Sequence, residues 1–284
     1  MSASTVLAPT EQSRATAEGK PAAVRDTGLS VSCRNVSVRF FTERRTVTAL
    51  KDVSIDIATG EFVSLLGPSG CGKSTFLRVV ADLIAPSSGS LTVMGVTPET
   101  ARLRRDIGFV FQDAALLPWR TALQNVELPL EVARGKTQTS NKPPRATPRE
   151  LLELVGLKGS ENAFPHELSG GMRQRVSIAR ALVSDPRILL MDEPFGALDE
   201  ITRDRLNEEL LRVWRELGMT VLFVTHSIYE AAFLGQRVLV LAANPGRVQE
   251  IVPVTLPPDR LLAIRETPEF VQLTAYLRRV LDIC

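Results

Sequence analysis

The chain has 284 residues, of which 44% are apolar and 23% are charged, with a net charge of +2. This length allows one large domain or two smaller ones, and a charge so close to zero excludes a strong whole-chain attraction to nucleic acid or to an anionic membrane. No apolar run approaches the roughly 18 to 20 residues that span a bilayer, and the three scattered cysteines exclude a disulfide framework or a zinc site.

Residues 1–28 are rich in Ala, Ser, Thr and Pro and contain few large apolar side chains. They lack the basic start and the apolar core of a secretion signal, so we expect the protein to stay in the cytosol. They also bury too little apolar surface to offset the entropy of ordering, which predicts a disordered leader.

Alternating apolar residues begin after the leader and predict antiparallel strands. One strand extends from Val31 to Phe40, and a second contains Val53, Ile55 and Ile57 after a charged turn. This period of two is typical of a half-buried sheet. The run "EFVSLLG" that follows predicts a short buried strand.

Helices and strands then alternate along the chain. A helix from about Lys73 to Ile84, a strand near "SLTVMG", a helix capped by Thr97 and a strand "IGFVF" follow in order. Residues 120–183 are helical by period, with no convincing strand among them. The alternation resumes with "RILLMD", a long helix at 200–217 and "TVLFVTH". The pattern predicts an α/β fold with a mixed sheet, an antiparallel β subdomain and an inserted α-helical subdomain.

We therefore predict one composite domain over residues 29–250, interrupted by the helical subdomain at about 120–183. Residues 251–284 form a C-terminal appendage in which an amphipathic helix extends from about Glu269 to Leu281.

Two further signals concern loops and helix starts. The stretch 134–149 contains five basic residues, three prolines and no acid, which is typical of a solvated loop. Thr147 with Glu150 predicts a capping box at the helix that follows the loop, and Ser227 with Glu230 predicts a second one.

The stretch "GPSGCGKST" fits the pattern G-x4-G-K-[ST] and lies between a buried strand and a helix. Glycines at these positions let backbone N–H groups face the phosphates of a nucleotide, a lysine supplies positive charge, and a hydroxyl can ligate Mg²⁺. A glycine-rich turn with an incidental lysine is the alternative. The predicted nucleotide-binding residues here are Gly67, Pro68, Ser69, Gly70, Cys71, Gly72, Lys73, Ser74 and Thr75.

The run "ILLMDEP" ends a predicted strand in two carboxylates. Beside a phosphate loop, Asp192 is placed to hold Mg²⁺, and Glu193 points the other way and can act as general base on a water that attacks the γ-phosphate. Two solvated acids at a strand end are the alternative. Together with the phosphate loop, these residues predict hydrolysis of ATP or GTP.

A second glycine pair occurs in "LSGGMRQR", where Gly170 and Gly171 precede a basic helix. Backbone N–H groups at a helix start form an anion site, so the chain contains two predicted phosphate sites. The second site has no equivalent of the lysine at position 73.

The order of phosphate loop, Gln112, "LSGGM", "ILLMDEP", "GALD" and His226 resembles the ATP-binding subunits of ABC transporters over about residues 30–250. The resemblance implies a P-loop NTPase core, ATP and Mg²⁺, with Gln112 sensing the metal and the attacking water. It also implies that His226 contacts the γ-phosphate and that Asp199 crosses a dimer interface.

In that family two subunits sandwich two nucleotides head to tail. The resemblance therefore implies that Ser169, Gly170 and Gly171 contact the γ-phosphate held by the phosphate loop of a second copy. Met172 departs from the usual glutamine, and we interpret it as a tolerated variation.

An aromatic residue that stacks on adenine is expected near the end of the first strand, where Phe40 and Phe41 stand and the usual tyrosine is absent. The pattern favours Phe40. The same alternation also suits Phe40 as a core residue, so both interpretations stay open.

Since no membrane span is predicted, the chain resembles the separate ATPase subunit of a bacterial importer of the nitrate, sulfonate and taurine group, bound to the cytoplasmic face of the cell membrane. The resemblance implies membrane permease subunits, touched near Leu116, Leu117 and Trp119, and a periplasmic or lipid-anchored solute-binding protein, with no nucleic acid. Ordinary core packing is the alternative for these three residues. A soluble ABC ATPase acting on nucleic acid or ribosomes is the rival function, although neither a second cassette nor a long coiled-coil insertion is visible.

Overall fold

The computed structural model describes residues 28–41, 45–134 and 145–284. The predicted leader, apart from residue 28, and most of the predicted basic loop lie outside these ranges. Where the description resumes, the capping box is confirmed: the Thr147 hydroxyl accepts from the N–H of Glu150, and the Glu150 carboxylate accepts from the N–H of Thr147.

The described residues form nine strands and eight α-helices. They follow the predicted alternation, except that the strand Arg237–Ala242 was not predicted from the sequence. The strands are Leu29–Phe41 (β1), Thr46–Ala58 (β2), Phe62–Leu66 (β3), Ser88–Val93 (β4), Ile107–Val110 (β5), Ile188–Asp192 (β6), Thr220–Thr225 (β7), Arg237–Ala242 (β8) and Arg247–Pro253 (β9). The helices are Lys73–Val80 (α1), Pro98–Leu103 (α2), Ala122–Arg134 (α3), Pro148–Leu154 (α4), Gly170–Leu182 (α5), Glu200–Leu217 (α6), Ile228–Leu234 (α7) and Pro268–Asp282 (α8).

Two sheets organise these elements. The first is antiparallel, with the strand order β2-β1-β4. The second has the order β5-β6-β7-β3-β8-β9, in which only β9 is antiparallel to its neighbour. The predicted mixed α/β fold is confirmed. Because β3, β6 and β7 are parallel neighbours, the segments that follow them meet at one edge of the sheet, where open α/β sheets bind ligands.

The central strands are buried on both faces. All residues of β3, β6 and β7 are buried, as expected for parallel strands covered on each side. Alternate residues of β3 belong to different cores: Phe62 packs with the helices, whereas Val63 packs with the antiparallel sheet and α1. This double burial fixes the height and register of the strand ends that carry the predicted site.

Helix α1 ends earlier than the sequence predicts. The apolar pattern extends to Ile84, but the helix ends at Val80. Asp82 has φ of 58°, a left-handed conformation that cannot continue a right-handed helix. Leu83, beyond this turn, is 53% exposed. Because it is apolar, it extended the helical pattern of the sequence past the true end of α1.

Three helices, α3, α4 and α5, lie between β5 and β6, and no strand occurs in the described residues between them. Helix α3 keeps Pro129 inside it. The predicted insertion of helices into an α/β core is therefore observed.

The C-terminal residues pack back onto α7. Phe270 of α8 is fully buried and stacks on Tyr229, with ring centroids 6.2 Å apart. The buried guanidinium of Arg260 donates to the carbonyl oxygens of Phe233 and Gly235, both at 2.8 Å, which satisfies the last turn of α7. Within the described ranges, no helix combines the length and the apolar character that crossing a bilayer requires.

Candidate nucleotide-binding site

The predicted phosphate loop, residues 67–75, connects β3 to α1. Gly72 has φ of 94°, and a Cβ there would come within 2.8 Å of the Ala49 carbonyl oxygen. A Cβ at Gly67 would collide with the carbonyl oxygen of Leu241. Both positions therefore require glycine, as the motif predicts. The exposed members of the loop are Pro68, Ser69 and Gly70, the buried ones are Gly67, Cys71 and Lys73, and the half-buried ones are Gly72, Ser74 and Thr75.

The Lys73 side chain is buried and lies along the loop. Its Nζ donates to the carbonyl oxygens of Gly67 at 2.7 Å and of Pro68 at 3.0 Å. Among the described residues, no side chain caps the N-terminus of α1, and its first turn contains no acid. The first N–H groups of α1 and the ammonium group therefore offer positive charge to an anion at this loop.

Ser74 and Asp192 meet across the site. The Ser74 hydroxyl donates to Oδ1 of Asp192 at 2.6 Å, which joins the start of α1 to the end of β6. Burial raises the pKa of Asp192 above its usual value, and the Ser74 hydrogen bond and the charge of Arg78 oppose that rise. A hydroxyl and a carboxylate in contact are two oxygen donors of the kind that Mg²⁺ prefers.

Glu193 turns away from Asp192, as the sequence predicts. Its φ of 45° is left-handed, and its N–H donates to the carbonyl oxygen of Val224 on the neighbouring strand β7. Its Oε2 lies 3.2 Å from Nδ1 of His226, the first residue after β7. The side chain of His226 is 54% exposed and that of Glu193 is 23% exposed, so water can reach this pair.

The predicted capping box after His226 is only half formed. The Ser227 hydroxyl accepts from the N–H of Glu230, but the Glu230 carboxylate does not return to Ser227. It accepts a hydrogen bond from the Thr225 hydroxyl, which in turn accepts from the N–H of Ser227. The other half of the box does not form because the buried Thr225 hydroxyl at the end of β7 competes for the carboxylate.

The second glycine pair begins α5. Ser169 is the N-cap, and its hydroxyl accepts from the N–H of Met172 at 3.3 Å. Gly170 is exposed, whereas Gly171 is buried, and a Cβ there would come within 2.8 Å of Cγ2 of Thr202. Met172 packs partly buried against the core. Glycine at position 171 is therefore required by close packing against the start of α6.

Asp199 caps the same helix α6. Its Oδ1 accepts from the N–H of Thr202 at 2.9 Å, and this bond lowers the pKa of the exposed carboxyl. A Cβ at Gly170 would lie 3.4 Å from Leu198. The segments "LSGG" and "GALD" are thus neighbours within one chain.

Gln112 is exposed, two residues after the end of β5. The backbone around it is held by α5: Nε2 of Gln174 donates to the Phe111 carbonyl oxygen, and the Arg180 guanidinium donates to that of Ala115. Sequence reasoning missed Gln174 and Arg180. The available signal was that Gln174 lies three residues from Gly171, on the buried face of a helix where a polar side chain needs a partner.

Phe40 and Phe41 end β1 with different exposure, 41% for Phe40 and 77% for Phe41. Phe40 pairs with Val47 of β2, after a register shift between Val38 and Arg39. Phe40 is exposed and belongs to neither hydrophobic core, so core packing does not explain it, and the stacking contact stays a prediction.

The predicted permease contact divides into two parts. Leu116 and Leu117 are half-buried, and Leu116 packs against the main core, whereas Trp119 is 70% exposed. The buried amide of Asn125 binds the loop: its Oδ1 accepts from the N–H of Leu117 at 2.8 Å, and its Nδ2 donates to the Arg120 carbonyl oxygen at 3.0 Å. Core packing therefore explains Leu116, and the exposed apolar residue is Trp119.

In the part of the chain that the structure describes, some of the predicted residues come into contact, and residues 169–171 are not bonded to that group. The phosphate loop, Asp192, Glu193 and His226 meet at one sheet edge. No hydrogen bond or ion pair between described residues joins 169–171 to any of them. A phosphate-binding loop between a buried parallel strand and a helix, beside an acidic strand end, defines the class of P-loop nucleoside triphosphatases.

Comparison with known proteins identifies the family within the P-loop nucleoside triphosphatases. A family model described as ABC transporter matches residues 50–196. The chain is 43% identical over 231 residues to the aliphatic sulfonates import ATP-binding protein SsuB of Bacillus subtilis, covering 81% of this chain and 86% of the relative. It is 44% identical over 234 residues to the taurine import ATP-binding protein TauB of Yersinia pseudotuberculosis, covering 81% and 89%.

A solved structure of the ATP-binding cassette MJ0796, a dimer in a post-hydrolysis state bound to ADP and Pi, is similar with a TM-score of 0.69 and 38% identity. The structural match covers 80% of this chain and 100% of the MJ0796 chain. The chain belongs to the ABC transporter family and is an ATP-binding ATPase of that family.

Proposed function

We propose that this chain is the ATP-hydrolysing subunit of a bacterial ABC importer that takes up a small solute such as nitrate, a sulfonate or taurine. It works at the cytoplasmic face of the cell membrane with integral membrane permease subunits and a periplasmic or lipid-anchored solute-binding protein. The names of the SsuB and TauB relatives support this class of solute.

The observation that carries the proposal is the division of the predicted residues between two places. Lys73, Ser74, Asp192, Glu193 and His226 meet at one sheet edge, whereas no hydrogen bond or ion pair between described residues joins the exposed start of α5 to them. A site divided in this way is completed by a second copy of the chain.

The residues at the sheet edge fit a magnesium ion. The hydroxyl of Ser74 and the carboxylate of Asp192 are in contact at 2.6 Å, and both are hard oxygen donors. With the amide oxygen of Gln112 they would hold Mg²⁺ beside the phosphate loop. When bound, the ion neutralises charge on the phosphate oxygens.

The remaining groups perform the hydrolysis. The backbone N–H groups of the loop and the Lys73 ammonium bind the β- and γ-phosphates. Glu193 accepts a proton from the water that attacks the γ-phosphate, and His226, in contact with Glu193, orients that carboxylate and contacts the γ-phosphate. Phe40 stacks on the adenine.

Two copies of the chain assemble head to tail around two ATP molecules. Ser169, Gly170 and Gly171 of one copy bind the γ-phosphate on the phosphate loop of the other, helped by the dipole of α5. Asp199 lies beside this segment and crosses the same interface. The dimeric structure of the MJ0796 cassette supports this assembly.

The permease binds the surface around Trp119. An aromatic side chain that is 70% exposed on a loop held by Asn125 is a ready contact for an apolar partner. Residues 29–250 form the ATPase domain, with the helices of 120–183 as the inserted subdomain next to this surface, and residues 251–284 form the appendage.

Solute uptake tests the proposal. Cells that lack this chain are supplied with labelled taurine, an alkanesulfonate or nitrate, and are complemented with the wild type or with Glu193→Gln. We expect uptake of one solute to be lost and to be restored by the wild type alone. If the deletion leaves uptake of all three solutes unchanged and nucleic acid stimulates ATP turnover, the result would favour a soluble ABC ATPase that acts on nucleic acid or ribosomes.

A further inference from the structure

The loop that carries Gln112 is attached to α5 on both sides of that residue. On the N-terminal side, Nε2 of Gln174 donates to the carbonyl oxygen of Phe111 at 3.1 Å. The Gln174 side chain is only 4% exposed, so water does not readily replace this bond.

On the C-terminal side, the guanidinium of Arg180 donates to two successive carbonyl oxygens, those of Ala114 at 2.5 Å and Ala115 at 2.9 Å. Burial lowers the pKa of Arg180, and a guanidinium stays charged at neutral pH, so these carbonyl groups replace the water that the cation has lost. Ala115 has φ of 45°, and its N–H donates to Oδ1 of Asp113. The loop is therefore held in one turn.

Other polar side chains of α5 serve different neighbours. Arg175 donates to the Val155 carbonyl oxygen and pairs with Glu209, and Arg173 donates to the carbonyl oxygen of Leu168. Of the side chains of α5 that the structure describes, Gln174 and Arg180 are those that donate to residues 111–115.

The helix that holds the loop also begins with the segment proposed to bind the partner's nucleotide. Along a helix that rises 1.5 Å per residue, Gln174 lies about 6 Å and Arg180 about 15 Å from Gly170. Gln174 and Arg180 therefore attach both sides of the Gln112 loop to the helix that begins with this segment.

We propose that Gln174 and Arg180 are positioning residues that hold the loop of Gln112 so that its side chain reaches the nucleotide. This inference rests on the proposed function, since it takes Gln112 as a residue of the hydrolytic site.

A double-mutant cycle in the purified full-length chain tests the inference. Gln174→Leu removes the donor at similar size, and Gln112→Ala removes the group it is proposed to position. We expect Gln174→Leu to lower kcat about tenfold while the KM for ATP changes less than about twofold. In the Gln112→Ala background, the same change should lower kcat by less than about twofold.

Arginines of the same helix provide the matched control. Arg180→Met should lower kcat in the manner of Gln174→Leu. Arg175→Met breaks a comparable bond to a backbone carbonyl that lies outside the loop, and it should leave kcat within about twofold.

Gln174→Glu supplies a readout that a packing role would not move. A protonated carboxyl can donate to the Phe111 carbonyl oxygen, whereas a carboxylate cannot. The kcat of Gln174→Glu relative to the wild type should therefore rise as the pH falls from 8 to 6, while that of Gln174→Leu stays level.

The outcomes separate the two proposals. Suppose that Gln112→Ala lowers kcat but Gln174→Leu lowers kcat by the same factor with and without Gln112→Ala. The positioning role is then refuted and the proposed function stands, and the same holds if Gln174→Leu turns over like the wild type. If Gln112→Ala itself leaves kcat unchanged, the assignment of Gln112 to the hydrolytic site is refuted, and the positioning role with it.

Discussion

Nδ1 of His226 lies 3.2 Å from Oε2 of Glu193, although 32 residues separate them along the chain. The contact joins the ends of two neighbouring parallel strands, β6 and β7. It places an imidazole beside the carboxylate that is proposed to take a proton from water.

Glu193→Gln should bind ATP and trap the dimer but hydrolyse about a hundredfold to ten-thousandfold more slowly, because an amide cannot accept the proton. Single-turnover hydrolysis and size-exclusion chromatography with ATP measure the two effects. Glu99→Gln, on the exposed first turn of α2, is the control. Near-normal turnover of Glu193→Gln would contradict the general-base role.

Site composition can be tested with mixed dimers. When one copy carries Lys73→Ala and the other carries Gly170→Asp, both lesions fall in the same composite site and the second site stays intact. When one copy carries both lesions, each site contains one. We expect about half of wild-type hydrolysis in the first arrangement and much less in the second, provided that intact sites act independently. The reverse order, with about half of wild-type hydrolysis in the second arrangement and much less in the first, would indicate a site completed within one chain.

The thiol of Cys71 should react slowly. Cys71 is fully buried in the phosphate loop, and burial raises its pKa, so little thiolate is accessible. Iodoacetamide should label the partly exposed Cys284 first, and labelling of Cys71 should block nucleotide binding. Cys33, buried in β1 with a pKa raised to about 11, is the control for a buried thiol away from the loop. Full activity after stoichiometric labelling of Cys71 would count against its place in the site.

Glu230 should make stability depend on pH. Burial raises the pKa of Glu230 above its usual value of 4.5, so the unfolded chain releases this proton first as the pH rises. The contribution of the group to the free energy of unfolding therefore falls as the pH rises from about 4 through its folded pKa, by about 1.4 kcal/mol for each pKa unit of the shift.

Glu230→Gln removes this titration. The free energy of unfolding of the variant, relative to the wild type, should thus increase between pH 4 and pH 7 in denaturant titrations. The Thr225 hydroxyl donates to the Glu230 carboxylate and so lowers its pKa. Thr225→Val should therefore raise that pKa further and make the free energy of unfolding fall more steeply with pH. A difference between Glu230→Gln and the wild type that is constant over this range would contradict the buried titration.

Arg260→Met should destabilise the fold by about 2–4 kcal/mol, since it leaves carbonyl groups at the end of α7 unpaired. Burial lowers the pKa of Arg260 to about 10, so the side chain is charged at neutral pH. The measurement is chemical unfolding of the full chain. Arg278→Met, on the exposed face of α8, should change stability by less than about 0.5 kcal/mol. Equal stability of the two variants would remove the structural role of Arg260.

Periodicity predicted the central strands well because β3, β6 and β7 are continuously apolar and bounded by turn residues. It overran the end of α1, since Leu83 continues the apolar pattern although the backbone turns at Asp82. The capping signal at Ser227 was half right: the Glu230 carboxylate accepts from the Thr225 hydroxyl on the preceding strand and not from the N–H of Ser227, and local spacing does not reveal that competing donor.

By itself the sequence determined the phosphate loop, the acidic strand end and the alternation of helices and strands, because each depends on a few neighbouring residues with strict chemical or conformational demands. Only the tertiary structure decided which residues meet. The pairing of Glu193 with His226 follows from the order of parallel strands, and the attachment of the Gln112 loop to Gln174 and Arg180 follows from how α5 packs. Such contacts join residues far apart along the chain, so they depend on the packing of the whole domain.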